Sequence, residues 1–147
     1  MQSDTVQRIA EYTPKNGEWT ELDELIQDLA KCNLIPEDFP SLFSLFERFP
    51  EDDGAEVFWG LVHLLEGVGG FEEALVSSLR HKPSDMATIM VNRMLNGGID
   101  RVGEVRLMDL LAEITWNSNV PGSVSQRAAR FIDYQKRKVG TGRGEDS

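Results

Sequence analysis

AEVFWGLVHLLEGVGGFEEALVSSLRHKPSDMATIMVNRMLNGG, residues 55–98, decides the fold class. Val57, Leu61, Leu64 and Val68 recur at helical spacing, and Phe58, Val62 and Leu65 widen the stripe enough for a nearly surrounded helix. Gly67, Gly69 and Gly70 interrupt it and permit a tight reversal. A second helix follows from Phe71 to Lys82, with Ala74, Leu75 and Leu79 turned inward, and Pro83 ends it. Ser84 supplies an N-cap for a third, Asp85 to about Asn96, which Gly97 and Gly98 terminate. Three helices joined by short breaks make successive antiparallel hairpins.

The same period extends in both directions. Upstream, Trp19, Leu22, Leu25, Ile26 and Leu29 form an amphipathic helix between the turn-like Pro14–Gly17 stretch and Asn33, with a short helix before it at about Asp4 to Tyr12. EDFPSLFSLFERF (37–49) offers Leu42, Phe43, Leu45, Phe46 and Phe49 for packing, and Pro50 stops it. EDDG (51–54) then reads as an acidic turn feeding the central helix from Ala55 to about Gly67, its carboxylates near the positive end of the helix dipole. Downstream, a helix is expected from about Ile99 to Trp116, using Val102, Val105, Leu107, Met108, Leu111 and Ile114. After the Asn117–Gly122 loop, Ser123 caps a last helix, about Val124 to Lys138, with Ala128, Phe131 and Ile132 inward. No stretch alternates in the manner of a strand. Asn16–Gly17 and Asp53–Gly54 each precede a helical pattern rather than joining β-branched runs. The expectation is an all-α single domain over residues 1–139. It has about seven to eight helices in successive antiparallel hairpins, as an α-solenoid or a compact bundle, and a disordered tail at 140–147.

Charge is the informative part of the composition. The 147 residues carry a net −10 at pH 7, but residues 1–73 hold 17 Asp/Glu against 4 Lys/Arg, a net of −13. Residues 74–147 hold 8 against 11, a net of +3. Such a balance argues against direct nucleic-acid binding, which needs clustered cations, and against an anionic membrane surface. It suits a basic protein partner, whose encounter an acidic face accelerates. Cys32 is the single cysteine, which excludes an intramolecular disulfide framework. The N-terminal residues lack a signal-peptide pattern, and no run reaches the ~18–20 apolar residues of a membrane span. A reduced, cytoplasmic protein is expected.

Motifs for catalysis are missing. The sequence has no G-x-S-x-G, H-E-x-x-H or P-loop pattern, and glycines 67, 69 and 70 follow a helix with no Lys-Ser/Thr pair after them. Cys32 reads as a packed small hydrophobe before it reads as a nucleophile paired with His63 or His81. Glu51, Asp52 and Asp53 lack EF-hand spacing, and no cofactor or metal is implied. Trp59, His63 and Glu66 share one side of the central helix at i, i+4, i+7. Three readings stand for them: a wedge and hydrogen bonder between helices, an anchor within an acidic surface, or, last, a metal role for His63. Glu18, Glu21, Asp23, Glu24 and Asp28 crowd one helix, and Glu72 and Glu73 begin another. Arg127, Arg130, Lys136, Arg137 and Lys138 form a small basic patch that complements its helix's C-terminal dipole or acidic neighbours.

EDDGAEVFWGLVHLLE (51–66) resembles the acidic turn and Val-x-Trp-x-Leu-Val-His-x-x-Glu helix of a helical immunity-protein family from bacterial polymorphic toxin and contact-dependent growth inhibition systems. NRMLN (92–96) is similar to that family's Arg-x-Leu-Asn stretch one hairpin later, with Met94 in place of a branched aliphatic residue. The resemblance covers about residues 40–115. It implies a non-enzymatic cytoplasmic protein that binds one cognate toxin domain, one to one, and blocks it. Many such toxins are nucleases with basic substrate grooves, which agrees with the acidic half of this chain. The candidate partner-binding residues are Glu51, Asp52, Asp53, Glu56, Trp59, His63, Glu66, Glu72 and Glu73, with Glu21, Glu24 and Asp28 as a second patch. Two alternatives stay open: an acidic helical adaptor for a basic protein or peptide outside any toxin system, and a small enzyme using Cys32 or the carboxylates.

Overall fold

The computed structural model describes the backbone of residues 4–146 and the side chains of residues 4–138. It is all-α, with eight helices and one small hairpin among the described residues. In chain order these are α1 (Asp4–Ala10), α2 (Thr20–Leu29), α3 (Asp38–Arg48), α4 (Phe58–Val68), α5 (Glu72–His81), α6 (Asp85–Asn96), β1 (Arg101–Val102), β2 (Val105–Arg106), α7 (Leu107–Trp116) and α8 (Gly122–Asp146). The central reading holds closely. α5 and α6 stop at the proline and glycines that punctuate the sequence, and the Ser84 side chain accepts the Ala87 N–H at 3.2 Å as the N-cap of α6.

The helices pack in two layers. Odd-numbered helices adjoin in the order α1, α3, α5, α7, and even-numbered ones in the order α2, α4, α6, α8. That is the adjacency of stacked helical hairpins, each burying apolar faces against its neighbours in the row and across the layers. A continuous core runs between the layers, with Phe43, Phe46, Phe58, Leu61, Leu65, Leu75, Met90, Leu110 and Leu111 wholly buried.

Polar ties join neighbours within each layer. In the odd layer, Arg48 of α3 donates to the carbonyls of Ala10 (3.0 Å) and Tyr12 (2.7 Å), satisfying acceptors left at the end of α1. Arg80 of α5 grips Glu113 of α7 through two hydrogen bonds of 3.2 and 3.1 Å. In the even layer, Arg127 of α8 donates to Asp85 of α6 at 2.7 Å. The buried Gln135 amide of α8 donates to Asn92 (2.7 Å) and Asn96 (2.9 Å).

Several local expectations are corrected. The central helix begins at Phe58, not Ala55, because Gly54, Ala55 and Glu56 all take positive φ (+59°, +53° and +75°), which no right-handed helix accommodates. The Asp52 carboxylate closes this turn by accepting the Gly54 N–H at 2.9 Å, so it faces its own loop and not the first turn of α4. Residues 99–106 are not helical. Val102 pairs with Val105 across Gly103–Glu104, with Gly103 at φ +58°, and only then does α7 start. Glycine at the first central position is a hairpin signal independent of Asn-Gly. At the N-terminus, Asn16 and Gly17 (φ +53° and +74°) reverse the chain, bridging Lys15 to Glu18. α2 ends at Leu29, short of Asn33. Helical backbone continues through Asp146, whereas the last helix was expected to end near Lys138. The tail expected to be disordered at 140–147 has its side chains, and all of Ser147, outside the described residues.

Gly54 is held by packing as well as by its φ. A Cβ there would lie 2.6 Å from two ring carbons of Phe58. Phe58 is itself edge-on to Trp19, with centroids 5.1 Å apart. Gly17 has a similar φ but nothing within 4 Å of a Cβ. Gly54→Ala should therefore lower stability by about 2–4 kcal/mol, combining backbone strain with overpacking. Gly17→Ala should cost about 1 kcal/mol, from backbone strain alone. Urea unfolding of the two variants separates the terms; equal losses would contradict the packing role of Gly54.

Candidate functional site

The i, i+4, i+7 side of α4 meets α6 in a small constellation. Glu66 accepts from both Nε and Nη2 of Arg93, each at 2.8 Å, in a bidentate pair. The Arg93 guanidinium also lies 5.7 Å from the Trp59 ring centroid, and the Trp59 and His63 rings are 5.9 Å apart. Hydrogen bonding to Glu66 raises the Arg93 pKa, with burial opposing it. The two motifs that carry the family resemblance thus touch each other: Trp59 and Glu66 belong to the first, Arg93 to the second. Arg93 was not among the candidate site residues, and its partner could be recognised only once α4 and α6 were neighbours.

Trp59 is half-buried and packs against the core edge, while His63 is exposed. Below them, Glu66, Phe71, Glu72, Arg93, Met94 and Ile99 line a hollow of about 230 Å³. Glu66 and Glu72 are therefore brought together, although Arg93 neutralises the first of them.

The remaining acidic candidates separate. Glu21, Glu24 and Asp28 are exposed on α2 with Asp23, and among the described residues none has a Lys or Arg within ion-pairing distance. Asp23 accepts from Gln27 at 2.9 Å. Glu51 accepts the Ser123 hydroxyl, fastening the loop before α4 to the start of α8. Asp53 and Glu56 are exposed on the left-handed turn. Glu73, next to Glu72 on α5, faces away from that hollow into a groove between α3 and α5 with Glu47, Ser78 and His81.

Along the even layer these placements make a gradient. α2 carries four carboxylates and no Lys or Arg, a net of −4. α4 carries −1, α6 is neutral, and residues 122–138 of α8 carry +4. At the basic end, Arg127, Arg130, Tyr134 and Arg137 line a groove of about 510 Å³ between α6 and α8. Arg127 is paired with Asp85, which agrees with acidic neighbours as one use of this patch.

Groups that could support chemistry lie apart. Cys32 is half-buried at the end of α2, its thiol 3.6 Å from the Asp28 carbonyl. His63 faces Trp59, and His81 lies 3.8 Å from Glu47, so neither histidine has Cys32 as its contact. Among the described residues no three His, Cys, Asp or Glu side chains gather as a metal site, and no helix is long and apolar enough to cross a membrane.

A double-mutant cycle tests the α4–α6 constellation. Glu66→Gln and Arg93→Gln should show a coupling of about 0.5–1 kcal/mol in unfolding free energy, the range of a partly exposed bidentate pair. Additive losses would mean that the contact holds nothing together. Compared with protein-family models, with curated proteins and with solved structures, the chain matches none.

Proposed function

We propose that this chain is an immunity protein that binds a cognate toxin domain one to one in the cytoplasm and neutralises it by covering its active site or substrate surface. The observation that carries this reading is the exposed carboxylate row of α2, free of Lys and Arg partners, on a helix that packs beside the Trp59-bearing α4. Like charges held together in the folded state destabilise it, and a basic partner removes that repulsion. Trp59, half-buried on α4 where it meets Arg93 of α6, supplies an aromatic contact of the kind that anchors interfaces. The strained turn at 54–56 extends the acidic surface with Asp53 and Glu56, and such strain is commonly found where a surface has a function. Occlusion requires no chemistry from the inhibitor.

Co-purification with the toxin domain encoded beside the gene, followed by titration calorimetry at two salt concentrations, tests the proposal. The expected result is a tight one-to-one complex that weakens with salt. Reversing Glu21, Glu24 and Asp28 to Lys should slow association by about tenfold or more while leaving the fold intact, since all three are exposed. No complex at either salt would overturn the reading, and capture of basic peptides alone would favour an adaptor.

A further inference from the structure

We infer that the groove between α3 and α5 is a subsite for one arginine side chain of the partner, resting on the reading above that the partner is a basic protein. The groove measures about 490 Å³, within the usual range for ligand pockets. Phe39, Pro36 and Pro40 form one apolar wall, and Ala74 stands on the other.

Glu47 of α3 lies in this groove with only 15% of its side chain exposed. Its Oε2 accepts the buried Ser78 hydroxyl at 2.7 Å, and its Oε1 lies 3.8 Å from Nε2 of the exposed His81. The contrast with the other carboxylates that tie neighbouring helices in a layer is direct. Glu66, Glu113 and Asp85 each meet a guanidinium, from Arg93, Arg80 and Arg127. Glu47 meets a hydroxyl and an imidazole, and among the described residues no Lys or Arg reaches it. A largely buried carboxylate without a cation is costly, and an incoming cation recovers part of that cost.

The groove's chemistry selects arginine. Glu73 adds a second carboxylate from α5, so the facing groups are Glu47 from α3 and Glu73, Ser78 and His81 from α5. A guanidinium can span two acceptors in plane, where an ammonium acts as a point charge. The aliphatic stem of arginine lies well along proline and phenylalanine surfaces, and the guanidinium also stacks on an aromatic face.

The test uses the full chain, isotopically labelled, with n-butylguanidinium chloride as probe and n-butylammonium and sodium chloride at matched ionic strength as controls. Saturable amide shifts confined to α3 and α5 are expected with butylguanidinium, weaker ones with butylammonium, and none with salt. Glu47→Gln should abolish saturation, as should Ala74→Met, which fills the groove without touching a carboxylate. The second variant decides the matter if the first does not fold. Glu47→Gln should also weaken the toxin complex by about tenfold or more. Absence of saturable shifts in the wild-type chain, or shifts unchanged in a folded variant, would overturn the subsite. Toxin bound equally by wild type and Glu47→Gln would sink the subsite alone. Probe bound in the groove with no toxin complex would sink the immunity reading alone.

Discussion

The edge-on packing of Trp19 against Phe49 and Phe58, each about 5.1 Å away, is the contact through which the acidic half of the chain is assembled. Trp19 stands at the start of α2, Phe49 at the end of α3 and Phe58 at the start of α4, so one indole fixes the ends of three helices. Tyr12 extends the cluster toward α1 and Phe46 extends it into the core. Aromatic pairs in this geometry add to the apolar area they bury. That matters because the surface of this half is a liability: α2 is held in place although its outer face repels itself. The left-handed turn at 54–56 belongs to the same constraint, since it lets Phe58 lie beneath Gly54 and still reach Trp19.

A second organising element is the five-residue stretch Asn92–Asn96. Arg93 points one way, to Glu66 and Trp59 of α4, while Asn92 and Asn96 hold the buried Gln135 of α8. One turn of α6 thus joins three successive helices of the even layer. A reason of this kind for a motif is structural, and it leaves the recognition of a partner to the surrounding surface.

Much of the fold could be read from the chain because its punctuation is local. Pro83, Ser84, Gly97 and Gly98 bound α5 and α6 by backbone chemistry that operates within a turn or two. The hairpin at 101–106 escaped because Val102 and Val105 also fit a helical stripe, and two-residue strands are too short to alternate visibly. The positive φ of Ala55 and Glu56 left no trace in composition, since neither residue favours that region and the surrounding packing imposes it. For the site, the acidity of α2 was legible as charge. The division of Glu72 from Glu73 was not, because adjacent residues on a helix diverge by about 100°. The setting of Glu47 was not legible for a related reason: that it meets a hydroxyl and an imidazole follows only from α3 and α5 being neighbours.

The charge gradient of the even layer has a consequence beyond attraction. A row running from −4 on α2 to +4 on residues 122–138 of α8 is an electric dipole lying along the stack. In the field of a basic protein such a molecule feels a torque before it feels contact, and turns α2 foremost while both are still separated by solvent. The angular search that limits most protein encounters is thereby shortened. Orientation in flight then counts as much as the strength of the final grip.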